Sequence, residues 1–191
     1  MTKKKVPDFM LVSISVSPAL RDYLLSVNND SDIIFLDYKG PVWIAVKSRL
    51  RPVPHNYIPE PAAPQPGKVR LVLPSTSGSK PLLNFDLDAI IHTNYLFRNY
   101  LDPDGQKAVA ALLDKSFKDR YRSFMTGYLA SHSAQRGKSS QIKEGIEEFC
   151  RIHRIGLDSG SITYEMFRKD WYRFRNRETP SEISVEVKEN I

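Results

Sequence analysis

Apolar residues recur every three or four positions across one stretch: Val109, Leu112, Leu113, Phe117, Tyr121, Phe124, Met125 and Tyr128. Such a stripe predicts an amphipathic helix of about five turns ending near Ser131, and Asp102-Pro103 supplies its start. After the polar stretch HSAQRGKSS, Ser140 can cap a second helix. Its inner face would hold Ile142, Ile146, Phe149 and either Cys150 or His153. A third helix is predicted from Ile162 to Arg177, after the connection GLDSGS.

The first half follows another rhythm. Phe9 to Val16 is β-rich and alternates loosely, which predicts a strand. Ser17-Pro18 opens a helix, with serine as N-cap and proline at the first helical position. That helix should bury Leu20, Leu24 and Val27 before Asn28-Asn29-Asp30 ends it. Ile33 to Leu36 favours a strand. After Gly40-Pro41, VWIAVKSRL fits helix or strand, with Trp43, Val46 and Leu50 on one helical face. Residues 52–66 carry Pro52, Pro54, Pro59, Pro61, Pro64 and Pro66. So many prolines exclude a helix or a central strand and predict an extended strap. Val69 to Leu73 and Leu82 to Leu87 predict the two strands of a β-hairpin around Ser75 to Ser79. Ala89 to Leu101 is expected to be helical.

These elements define an α+β fold. A small N-terminal α/β part with a β-hairpin spans residues 6–88. A C-terminal helical part with a basic helix-turn-helix-like unit spans 89–177. Residues 178–191, acidic and without periodicity, are expected to be a disordered tail. A 191-residue chain can bury a sizeable core, as one domain or two small ones.

Charge then points to partners. The chain carries 28 Lys and Arg against 22 Asp and Glu, a net charge of +6. The excess is uneven: residues 89–177 hold 16 basic and 10 acidic side chains, whereas 178–191 hold 1 and 4. A basic helical half favours polyanions. The single cysteine, Cys150, rules out an internal disulfide and fits a reducing, cytoplasmic setting. No apolar run is long enough for a signal sequence or a membrane span.

The predicted third helix concentrates the charge. At about 100° per residue, Tyr164, Phe167, Trp171 and Phe174 share a narrow arc, while Lys169, Arg173 and Arg177 lie far round from it. Arg168, Tyr172 and Arg175 fill the arc between. An aromatic face can dock while arginines and lysine meet phosphates or guanine edges, and Tyr172 can bond a phosphate or stack on a base. The candidate nucleic-acid-binding residues are therefore Arg168, Lys169, Tyr172, Arg173, Arg175 and Arg177. Three features count against it: GLDSGS exceeds the three or four residues usual in a helix-turn-helix, helix C-termini attract cations without any ligand, and the first turn is not cleanly two-faced. There Ile162 and Met166 point toward the basic side. A protein contact or a solvated face stays open on the residues alone, and RNA is less favoured because no RNA-module motif is present.

With NYLFRNYLDPDGQKAVAALL ahead of it, FCRIHRIGLDSGSITYEMFRKDWYRFRNR resembles uncharacterised proteins carried on bacterial phages and mobile elements. The resemblance covers roughly residues 89–177. It implies a part in DNA transactions and carries no functional residue across.

Other constellations are thinner. Ser77-Gly78-Ser79-Lys80 lacks the glycine spacing of a phosphate loop. Asp86 and Asp88 with His92 lack a second acidic cluster for a nuclease metal. Cys150 and His153 are two ligands where structural zinc needs four, and His55 and His132 have no place beside them. No spacing pairs a nucleophile with a base. The expectation is a DNA-binding protein, with a protein-interaction module as the alternative, and with neither enzymatic activity, metal nor cofactor.

Overall fold

The computed structural model describes residues 9–56, 58, 64–74, 99–132, 138–157 and 162–178. These fall into two units. One contains the residues up to Phe117 together with His153–Ile155, and the other contains Lys118–Ile152 and the residues from Gly156 on.

The first unit is built on a three-stranded sheet. Strand β1 (Phe9–Ser15) pairs antiparallel with β4 (Lys68–Pro74), which pairs on its other edge, in parallel, with β2 (Ile33–Phe35). The order β1-β4-β2 makes β4 the central strand. Val69, Leu71, Val72 and Leu73 are all buried, so both faces of β4 are covered. The charged exception is Arg70, 5 % exposed, whose Nε donates to Asp32 Oδ2 at 2.8 Å in a two-pronged ion pair. The expected strand Val69 to Leu73 is thus present, whereas its hairpin partner Leu82 to Leu87 lies outside the described residues, as do Ser77 to Lys80, Asp86, Asp88 and His92.

Helix α1 (Pro18–Val27) starts as its sequence dictates: Ser17 Oγ accepts from the Leu20 amide, and Pro18 takes the first position. Ala19 and Leu20 are buried. Val27 is 55 % exposed, against the expectation that it completes the inner face. Asn29 and Asp30 then adopt positive φ, which their short polar side chains tolerate, and the helix stops. The ambiguous segment after Gly40 is helix α2 (Pro41–Lys47), anchored where Trp43 Nε1 donates to the Pro74 carbonyl at 2.8 Å. Leu50 leaves that helix for strand β3 (Leu50–Pro52), which pairs antiparallel with β5 (Asn99–Leu101). The described end of the expected helix 89–101 is therefore a strand. The ladder to β3 outweighs local preference across those three residues, and Leu101 is buried.

Helix α3 (Pro103–Ser131) ends at the residue its stripe predicts. Asp102 caps it, accepting from the Gly105 amide at 2.7 Å. Val109, Leu113 and Phe117 are buried in the first unit; Tyr121 and Met125 are buried in the second. Also in the first unit, Tyr23 packs against Phe117 and His153, and Ser26 Oγ lies 3.1 Å from His153 Nδ1. Ser26 Oγ also donates to the Tyr23 carbonyl at 2.7 Å.

The second unit is all-helical: the later part of α3, helix α4 (Lys138–Ile152) and helix α5 (Tyr164–Glu178). Helix α4 begins at Lys138, two residues before the expected cap. Ser140 lies inside the first turn, its hydroxyl on Glu144 Oε1 at 3.1 Å. Ile142, Ile146, Phe149 and Cys150 form its buried face; His153 follows the helix. Gly145 permits close approach to α3, since a Cβ there would meet Tyr128 Cδ1 at 2.9 Å and Met125 at 3.1 Å. The fold is accordingly α+β, a mixed N-terminal region with small sheets followed by a helical C-terminal region. Among the described residues, no helix is long and apolar enough to cross a membrane.

Candidate nucleic-acid interface

Helix α5 begins at Tyr164 rather than Ile162, which precedes it and is buried. Its inner face is fixed by α3 and α4. Phe167 and Trp171 are 3 % and 4 % exposed. The Tyr121 hydroxyl donates to the Phe167 carbonyl at 3.1 Å, and the Tyr121, Phe149 and Phe167 rings meet edge-on, with centroids 5.1 to 6.2 Å apart. Trp171 touches Phe174, with ring centroids 5.7 Å apart. The predicted aromatic arc is the packing face, with Tyr164 and Phe174 half-buried at its margins.

One contact that sequence reasoning missed ties α5 to α3. Arg122 of α3 donates from Nε and Nη2 to the two oxygens of Asp170, at 2.9 and 2.7 Å. Both side chains are about four-fifths covered, and the same guanidinium lies 5.2 Å from the Phe174 ring centroid. A forked, partly shielded pair of this kind resists rolling of the helix. Periodicity could have raised the suspicion, because Asp170 flanks the aromatic arc rather than facing away from it.

All six residues singled out in the sequence lie on α5, away from that packing face. Arg168, Lys169, Arg173, Arg175 and Arg177 are exposed and Tyr172 is half-exposed. Tyr172 is flanked by two guanidiniums, Arg168 at 5.7 Å and Arg175 at 5.3 Å from its ring centroid. Arg168 also donates to both oxygens of Glu165, at 2.9 and 3.2 Å, and this carboxylate raises the Arg168 pKa above its ordinary value. Glu165 was missed, although its i,i+3 spacing to Arg168 was a readable signal. Lys169, Arg173 and Arg177 have no carboxylate partner among the described residues. A shallow depression of about 360 Å³ runs along the face, lined by Glu165, Arg168, Lys169, Tyr172, Arg173 and Asn176. Met166, 42 % exposed, is the one large apolar side chain left uncovered on this helix.

Among the described residues no cluster of His, Cys, Asp or Glu could hold a metal. Cys150 is buried, and burial together with the Glu147 charge pushes its thiol up to about 12. The connection of α4 to α5, residues 153–163, is longer than the turn of a compact helix-turn-helix. No protein-family model, curated protein or solved structure matches the chain.

Proposed function

We propose that the chain binds DNA through the outer face of α5, as a regulator or accessory factor of a mobile element. The observation that carries the reading is the division of one helix into two faces. Phe167 and Trp171 are buried, while Lys169 and Arg173, about half a turn away, stand exposed without a carboxylate partner among the described residues. A helix seated by aromatics and directing cations outward can lie along a groove or a phosphate backbone. Helices α4 and α5 would then act as a loosely connected helix-turn-helix-like pair.

The test is fluorescence anisotropy of a labelled duplex with the full chain at several salt concentrations. Binding that weakens steeply with salt supports the reading. Replacing Lys169, Arg173 and Arg177 together by alanine should flatten the salt slope by up to about 2.7 units. Absence of binding by the wild type at low salt overturns it. Exposed Met166 favours a second reading, a protein contact through the same helix. Retained, salt-steep binding in a Met166→Ala variant would argue against an apolar contribution.

A further inference from the structure

We propose that Glu165 limits the phosphate-binding ridge of the α5 outer face, by holding Arg168 aside and leaving Lys169, Arg173 and Arg177 to meet a sugar-phosphate backbone. This rests on the nucleic-acid reading above and assigns it a ligand class: the phosphates of a duplex backbone.

The cations of α5 are not equivalent. Arg168 gives its Nη1 to both Glu165 oxygens and lies over one side of the Tyr172 ring, with Arg175 on that ring as well. Specific recognition of guanine needs two donors of one guanidinium presented together to O6 and N7. An arginine already donating to a carboxylate and lying against a ring is less free to offer that fork, or its charge, to a ligand. The row Lys169, Arg173, Arg177 carries no such restraint. Its members follow one another by four residues, about 6 Å along the axis for each step, so the ridge spans about 12 Å. That is close to the width of a major groove, about 12 Å. Lys169 is a point charge with no directional fork, suited to phosphate more than to a base edge.

The acid also shapes the depression. Glu165 and Arg168 lie toward its N-terminal end, and Tyr172, Arg173 and Asn176 toward its C-terminal end. A phosphate near Glu165 would be repelled, so a bound strand runs over Lys169 and onward to Arg177. Glu165 therefore limits both how many phosphates the face engages and where it engages them.

The experiment uses the full chain and two labelled duplexes of unrelated sequence, titrated by anisotropy over a range of salt. The wild type should bind both alike, with a slope of log affinity against log salt of about −2.7, the value for three phosphates. Glu165→Gln frees Arg168. It should steepen the slope by about one unit and tighten binding to both duplexes, by up to about eightfold at 0.1 M salt. The control is Glu148→Gln on α4, which removes the same charge from another exposed i,i+3 pair, with Arg151. It should change neither quantity. The inference is overturned if Glu165→Gln leaves slope and affinity unchanged, if Glu148→Gln reproduces its effect, or if the wild type strongly prefers one duplex. In each of those cases the wild type still binds DNA, and the broader reading stands. Failure of the wild type to bind either duplex overturns both.

Discussion

The hydroxyl of Tyr121, on α3, donates to the main-chain carbonyl of Phe167, on α5, at 3.1 Å, inside a cluster of three rings. Because the bond ends on backbone, it fixes the height of α5 whatever side chain stands at 167. Tyr121→Phe keeps the ring and loses the bond, so stability should fall by about 1 kcal/mol. Tyr121→Ala also empties a site 1 % exposed and should cost about 3–5 kcal/mol. Urea titration followed by circular dichroism reads both.

The same core should make the protein sensitive to alkali. Burial raises the Tyr121 phenol above its ordinary 10.0 and pushes the Cys150 thiol up from 9.0 to about 12. Each group is neutral when protonated, and the folded state holds the proton more tightly than the unfolded chain does. Their contribution is complete below the unfolded values and is lost as pH rises above them. Stability should therefore begin to decline above about pH 9, and in Cys150→Ala the decline should start about one unit higher. Urea midpoints measured between about pH 7 and 11 test this. A thiol reagent at about pH 8 should modify Cys150 slowly in the folded protein and quickly in denaturant.

Arg122 and Asp170 should be energetically coupled. Their forked pair is about four-fifths shielded, so a double-mutant cycle with alanine at each position should return about 1–2 kcal/mol, above an exposed pair and below a buried one. A coupling near zero would mean that aromatic packing alone sets the rotation of α5.

Trp171 contributes through its rings and not its indole N–H, which is buried without a hydrogen-bond partner among the described residues. Trp171→Ala should cost about 3–5 kcal/mol. Trp171→Phe removes the unsatisfied donor, a gain that offsets much of the lost volume, and should stay within about 1 kcal/mol of the wild type. A near-equal loss in both variants, in the same urea titration, would contradict this.

Much of the helical region was legible because its signals are local. The stripe from Val109 to Tyr128 and the split faces of α5 follow from a repeat of about 3.6 residues, and the Asp102-Pro103 start from capping chemistry. The sheets were less so. Nothing within Asn99–Leu101 announces a strand, since that state is conferred by Leu50–Pro52, far away in sequence. The parallel pairing of β2 with β4 is likewise a long-range choice. At the candidate interface the exposed cations could be named from spacing, but their inequivalence could not. That depends on the contacts of Arg168 with Glu165 and Tyr172, and the seating of α5 depends on Arg122, which lies on another helix.

The buried ion pair of Arg70 with Asp32 bears on how β2 and β4 find their alignment. Ordinary strands are kept in register by alternation, because a slip of one residue turns apolar side chains outward. Strand β4 has no such safeguard: from Val69 to Leu73 its apolar residues face both ways into covered space, so a shifted alignment would bury nearly as much. Arg70 breaks that degeneracy. In the observed alignment it sits opposite Ser13 on one side and Ile33 on the other, within reach of Asp32. One step either way would leave a guanidinium in an apolar layer without its carboxylate, a penalty of several kcal/mol. A single charge thus acts as the index mark by which β2 and β4 are counted into place.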